Sequence, residues 1–150
     1  DSNLQVDPAA RVLASPGKTL VYTSSSDDRR RAALLAAHPE LDICRLPADA
    51  HGKNDLHAML ADLAAREVNE LHVEAGERLN GSLLKAGLVD ELLLYVAPRL
   101  LGEGRGLAAL GCLASLDQSI DFSLHAVDRV GEDLRLLLRR PGSDSFLRPS

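Results

Sequence analysis

Three times between Lys18 and Gly87 a short apolar run gives way to a stretch of helical character, and this alternation restricts the fold more than any other feature. KTLVYT (18–23) follows Pro16-Gly17 and reads as a strand; SSS (24–26) is a loop; DDRRRAALLAAH (27–38) reads as a helix with Asp27 as N-cap, stopped at His38-Pro39. LDICRLP (41–47) is a second strand, ADAHGKN (48–54) a loop, and DLHAMLADLAAREV (55–68) sets Leu56, Met59, Leu60 and Leu63 on one helical face. NELHVEA (69–75) is a third strand, and GERLNGSLLKAG (76–87) is a helix between two glycines with a stripe of Leu79, Leu83 and Leu84. LVDELLLYVAPRLL (88–101) then holds an apolar centre at 92–97, whose length and following Pro98 favour a buried strand. GEGRGLAALG (102–111) is a flexible glycine-rich loop, and two final strands, IDFSLHAVDRV and DLRLLLRR, flank a tight turn at Gly131-Glu132. The expected class is α/β: a largely parallel sheet with helices on both faces and a C-terminal antiparallel hairpin.

At 150 residues the chain reads as one domain with enough length for a core of its own. Its partners are narrowed by composition. Aromatic residues make up only 3%, with no Trp, so base-stacking platforms are scarce; the net charge of −5 comes with no basic face. Neither nucleic acid nor an anionic membrane is expected as a partner, whereas a small anionic ligand needs only a few backbone N–H groups and one Arg. Cys44 and Cys112 lie far apart and fit a reduced cytoplasmic protein, and no apolar stretch approaches membrane-spanning length. The opening DSNLQVDPAA has neither the basic end nor the apolar middle of a signal peptide, and it lacks an initiator Met, so the chain is read as a piece of something longer.

The chemistry concentrates around residue 75. In an open α/β sheet, ligands bind beyond the carboxyl ends of strands, and Glu74-Ala75-Gly76 stands at such an end. Gly76 lets a ligand or a tight turn approach the backbone, and the first-turn N–H groups of Glu77, Arg78 and Leu79 have no intrahelical acceptor, which favours an anion. The plainer reading is a simple strand-to-helix turn with Glu77 compensating the helix dipole, and local physics leaves both open. Gly76-x-x-x-x-Gly81-Ser82 has P-loop spacing but lacks the Lys, which rules out that motif. Gly81 inside a helix costs about 1 kcal/mol against Ala, which a close backbone contact with sheet or ligand would explain. His72-x-Glu74 matches half of a zinc-deaminase signature whose cysteine half is absent, so no metal is expected. Ser24, Ser25 and Ser26, with Arg29 to Arg31 nearby, are either a seat for an adenosine 2′-phosphate or a solvated turn.

The stretch HVEAGERLNGSLLKAGLVDELLLYVAPRLLG (72–102) resembles the reductase domain of the bifunctional riboflavin-biosynthesis deaminase/reductase (RibD) family. There a strand ending V-E-G-G or V-E-A-G is followed by a helix with a small residue, G-L-V-D-E, an apolar strand and A-P-K/R-L-L-G. DSNLQVDPAARVL is similar to the family's D-S-x-L-R-x-P-x-x-R-L/V-L segment, and the likeness runs over about 1–140, strongest in 55–102. It implies a dihydrofolate-reductase-like fold and NADPH-dependent reduction of the ribosyl group of a phosphorylated aminopyrimidine to a ribityl chain. It implies that Glu74 contacts substrate, that Gly76, Glu77, Arg78, Leu79, Asn80, Gly81 and Ser82 wrap the cofactor, and that Ser2 is a further cofactor contact. Glu77-Arg78 departs from the family pattern of Pro or a small residue followed by Thr or Ser: Arg78 is suited to pair with a cofactor phosphate, Glu77 to repel one. Asn3 to Val6 lacks the usual Arg. By the same resemblance the chain is expected to be the C-terminal part of a reductase domain, without its first strands and the deaminase domain; a homodimer is expected because the strand at 91–97 and the terminal hairpin offer an uncovered pairing edge. The rival readings are a stand-alone reductase of this fold for another substrate and a catalytically silent dimerising fragment.

Overall fold

A computed structural model describes residues 1–143 and divides the chain into two compact units, Asp1–His72 and Val73–Ser150. In the first, β1 (Leu20–Thr23), α1 (Asp28–Ala37), β2 (Asp42–Arg45) and α2 (Leu56–Ala65) follow in order. β1 and β2 pair in parallel from Leu20↔Asp42 to Thr23↔Arg45, the pairing that a strand–helix–strand unit permits. Asp27 caps α1 as expected, its carboxylate accepting from the Arg30 N–H at 3.0 Å, and Asp55 caps α2 by accepting from Ala58 at 3.0 Å. α2 stops at Ala65, short of the expected 68. Glu67 takes a left-handed φ of 64°, and Val68 and Glu67 donate to Leu63 and Ala64, a Schellman ending made without glycine.

The buried cluster of this unit is aliphatic: Leu4, Leu13, Leu34, Leu41 and Ile43, with Val6, Ala10, Val21 and Leu35 packed against it. Each buried Leu or Ile contributes about 1.5–3 kcal/mol by leaving water. Thr23, at the end of β1, is the most buried polar residue of the unit; its hydroxyl donates to the Ser2 carbonyl at 3.0 Å and accepts from the Ser25 N–H at 3.0 Å.

A polar network ties the sheet to α2. The Tyr22 hydroxyl donates to Asp62, and Arg66 bridges Asp62 and Asp42, each bond at 2.6 Å. Burial, then the Asp62 carboxylate, pushes the Tyr22 hydroxyl well above its usual range. The Tyr22 hydroxyl, then Arg66, holds the Asp62 carboxyl below the usual carboxylate range. A carboxyl whose folded pKa is depressed stabilises the fold above its unfolded pKa of about 3.9 and loses that contribution as pH falls through the lower folded value. Asp62→Asn is therefore expected to flatten the acid limb of stability against pH below about pH 4, measured by urea unfolding at stepped pH. An unchanged slope there would show that the network is not linked to protonation.

The second unit holds α3 (Glu77–Lys85), β3 (Glu91–Val96), β4 (Ser123–Val130) and β5 (Asp133–Arg139). α3 ends in a second Schellman motif: Gly87 at φ 71° and Leu88 donate to Leu84 and Leu83. The three strands form an antiparallel sheet in the order β3-β5-β4. The expected hairpin is present: Val130 pairs with Asp133 across a two-residue turn, with positive φ at Gly131 and not at Glu132, the pattern of a type II′ turn. Register assigns the sheet two unlike faces. Glu91, Leu93 and Tyr95 share one with Arg139, Leu137 and Arg135, where Arg139–Glu91 at 2.6 Å and Arg135–Asp128 at 2.7 Å form cross-strand ion pairs. The other face is mostly apolar, carrying Leu92, Leu94 and Val96 of β3, Leu134, Leu136 and Leu138 of β5, and Leu124 and Val127 of β4, with Arg129 opposite Leu134 at its turn end.

The α/β class stands, with a parallel pair in the first unit and the antiparallel sheet in the second. One expected element differs. Residues 69–75 pair with no described strand, and Leu71 and Val73 remain exposed. Alternation sets which side chains share a face, but a strand exists only through hydrogen bonds to a neighbour, and that neighbour is not encoded in the segment.

Candidate functional site

α3 begins differently from α1 and α2. Both of those have an Asp side chain on their first-turn N–H groups, whereas α3 starts at Gly76, extended at φ −79° and ψ 167°, with no side-chain cap. A Cβ placed on Gly76 would meet nothing within 4 Å. The N–H groups of Glu77, Arg78 and Leu79 thus open a helix whose N-terminal partial positive charge is not already taken by a capping carboxylate. Such a helix start suits an anionic group. Glu74 lies two residues before this start and is exposed, as are Arg78 and Leu79. The Ser82 hydroxyl donates back to the Arg78 carbonyl at 3.0 Å.

Glu77, Asn80 and Gly81 face the chain itself. The Glu77 carboxylate accepts from the Gly106 N–H at 3.0 Å, and its carbonyl accepts from Ala109 at 2.8 Å. The Asn80 side-chain amide donates to the carbonyls of Leu107 at 3.0 Å and Ala75 at 3.2 Å. A Cβ on Gly81 would stand 2.5 Å from the Ala109 carbonyl oxygen. The close approach expected at this glycine is made by a loop backbone, not by a strand.

Ser2 belongs to the first unit. Its hydroxyl accepts from the Asn54 N–H at 3.0 Å, and its carbonyl takes bonds from Thr23 Oγ1 and from Ser24 N and Oγ. Asn54 in turn donates to the Tyr22 carbonyl at 2.9 Å, while its own Oδ1 is buried without a hydrogen-bond partner. Sequence reading passed over Asn54, which sits in a polar loop and advertises itself only by preceding the capping Asp55. The hydroxyls of 24–26 are partly committed locally, Ser24 Oγ to Ser2 and Gly52 and Ser25 Oγ to the Asp27 N–H. Asp27 and Asp28 add two carboxylates to that helix start, which counts against a phosphate there. Among the described residues no group of three or more His, Cys, Asp or Glu is placed to hold a metal ion, and no helix is long and apolar enough to cross a membrane.

The family model described as the RibD C-terminal domain matches residues 1–136, across both units. The chain belongs to this family. Relatives of the RibD C-terminal domain include the riboflavin biosynthesis protein RibD of Escherichia coli (strain K12), 37% identical over 139 residues, covering 92% of this chain and 36% of that protein. The 5-amino-6-(5-phosphoribosylamino)uracil reductase of Buchnera aphidicola (subsp. Acyrthosiphon pisum) is 29% identical, covering 92% of this chain and 64% of the relative. Among solved structures, Acinetobacter baumannii RibD (form 2) superposes with a TM-score of 0.74 at 26% identity, covering 93% of this chain and 36% of that one. The chain thus spans less than two thirds of these RibD-family relatives.

Proposed function

We propose that this chain carries out, as part of a reductase, the NADPH-dependent reduction of the ribosyl group of 5-amino-6-(5-phosphoribosylamino)uracil to its ribityl product in riboflavin biosynthesis. The observation that carries this reading is the uncapped, sterically open start of α3 two residues after Glu74, in a chain whose family match runs through both units. The names of two relatives point the same way: the Buchnera reductase, and a 2,5-diamino-6-ribosylamino-4(3H)-pyrimidinone 5′-phosphate reductase of Methanothermobacter thermautotrophicus, 31% identical over 137 residues.

In this reading the backbone N–H groups from Gly76 to Leu79 hold the cofactor diphosphate and Arg78 pairs with one of its phosphates, while Asn80 and Gly81 face the 106–109 loop and Ser82 bonds back to the Arg78 carbonyl, so that these three bear on the seat through their neighbours. Ser2, whose hydroxyl accepts from the Asn54 N–H, keeps in this reading the cofactor-contact role that its D-S-x-L segment implies. Nicotinamide supplies the hydride. Glu74 serves the substrate as a positioning group, holding sugar hydroxyls or the amine, or as a proton-handling group, and is not a nucleophile. The two lone thiols, Cys44 and Cys112, fit a reducing, cytoplasmic setting. Homodimerisation is part of the proposal, supported by the half-exposed apolar face of the β3-β5-β4 sheet, where Leu124, Val127 and Leu134 remain open. The same face favours, as a second reading, a silent dimerising piece.

Fluorescence titration separates these. NADPH is expected to bind with NADH weaker on the order of tenfold, the worth of about one charge-assisted contact to the 2′-phosphate. Equal affinities would remove the 2′-phosphate contact, at Ser24 to Ser26 or elsewhere, from the proposal. Binding of neither, with a dimer seen in sedimentation, would leave the silent fragment.

A further inference from the structure

The glycine-rich loop after β3 has too few side chains to pack, yet its 106–109 stretch is tied to α3 at four points. Glu77 Oε2 takes the Gly106 N–H and the Glu77 carbonyl takes the Ala109 N–H. The Asn80 amide reaches the Leu107 carbonyl, and Gly81 lets the Ala109 backbone lie against the helix. Asn80 also holds the Ala75 carbonyl, so one side chain fixes both the turn into α3 and the loop beside it. The C-terminal end of α3 is closed by its Schellman motif, while Glu77 turns its carboxylate to loop backbone and Asn80 divides its amide between the loop and the Ala75 carbonyl.

We propose that Glu77 and Asn80 are positioning residues that staple residues 106–109 along the first turns of α3, making this loop a fixed wall beside the dinucleotide seat. The inference rests on the reading of the α3 start as that seat. It also accounts for a carboxylate one residue past Gly76, where an acid would otherwise repel the diphosphate. The Glu77 charge is engaged by an amide donor on the loop side, so its cost to an anion is lowered and it acts on the wall instead. The part of the loop that this staple orders is 106–109.

Hydrogen exchange at Gly106 and Ala109, without cofactor, tests the staple; NADPH titration and steady-state kinetics of the same variants test the wall. Glu77→Ala and Asn80→Ala are each expected to raise loop exchange about fivefold, the worth of one net hydrogen bond. They raise the NADPH dissociation constant and KM severalfold and leave kcat within about twofold, because a positioning role at the seat acts on binding. Glu77→Gln is the decisive variant. Its amide oxygen still accepts from Gly106, so exchange stays at the wild-type rate, while loss of the negative charge tightens NADPH by about two- to fivefold. Unchanged exchange in both alanine variants overturns the staple. Freed exchange with unchanged NADPH affinity overturns the wall. A wild-type protein that binds no NADPH sinks the seat reading, and the exchange measurement then still decides the staple by itself.

Discussion

Glu74→Gln is expected to lower turnover by about 10²-fold or more while the NADPH dissociation constant moves by less than about threefold. The substitution keeps the size of the side chain and its ability to accept a hydrogen bond, and removes the charge and the capacity to take a proton. Its position argues for the split. The backbone just after it is held by the Asn80 bond to the Ala75 carbonyl, so the variant leaves the start of α3, and with it the proposed diphosphate seat, in place. An interaction made only as the sugar is reduced lowers kcat and kcat/KM together and spares ground-state binding. Single-turnover oxidation of bound NADPH, followed at its own absorbance, measures the first quantity, and fluorescence titration the second. Loss of both in equal measure would reject the separation of substrate from cofactor roles around this residue.

Gly81→Ala is expected to destabilise the protein by up to about 2 kcal/mol and to release the 106–109 loop, against the ordinary trend for helices. In an exposed helix interior the same change gains about 1 kcal/mol. Here the new methyl would stand 2.5 Å from the Ala109 carbonyl oxygen and 2.9 Å from its carbonyl carbon and amide nitrogen. These are backbone atoms, which cannot swing aside as a flexible side chain does, so helix and loop must part and the bonds of Glu77 and Asn80 to the loop lengthen with them. Overpacking of this kind costs about 1–3 kcal/mol, enough to outweigh the propensity gain. Urea unfolding gives the stability change, and limited proteolysis within 102–111 reports the loop. A variant more stable than wild type with an equally protected loop would show that the approach is softer than the geometry implies.

Much of the architecture was legible from short-range signals. Asp27 before DRRR marks a helix start because a carboxylate two or three residues ahead of a free N–H satisfies it, whatever lies elsewhere in the chain; Asp55, expected inside its helix, turns out to cap α2 in the same way. Gly87 marks a helix end because only a left-handed residue there closes the last carbonyls, and Gly131-Glu132 marks a hairpin because the turn demands positive φ. The same kind of signal misled at Arg66 to Val68, where helical composition continues but Glu67 adopts the left-handed conformation that glycine usually supplies. The third strand expected at 69–75 pairs with no described strand, since a ladder is a relation between two segments.

At the candidate site the boundary falls in the same place. The chain's own order of residues placed a carboxylate, a glycine and a run of first-turn N–H groups next to one another between 74 and 79, because that juxtaposition is covalent. It also flagged Gly81 as an anomaly, since glycine weakens a helix wherever it stands. Only the tertiary structure decided what that glycine accommodates and where Glu77 and Asn80 turn. Their partners lie some 27 to 29 residues away, and the choice between facing a ligand and facing a loop is made by the path of the chain through space, which no local propensity contains.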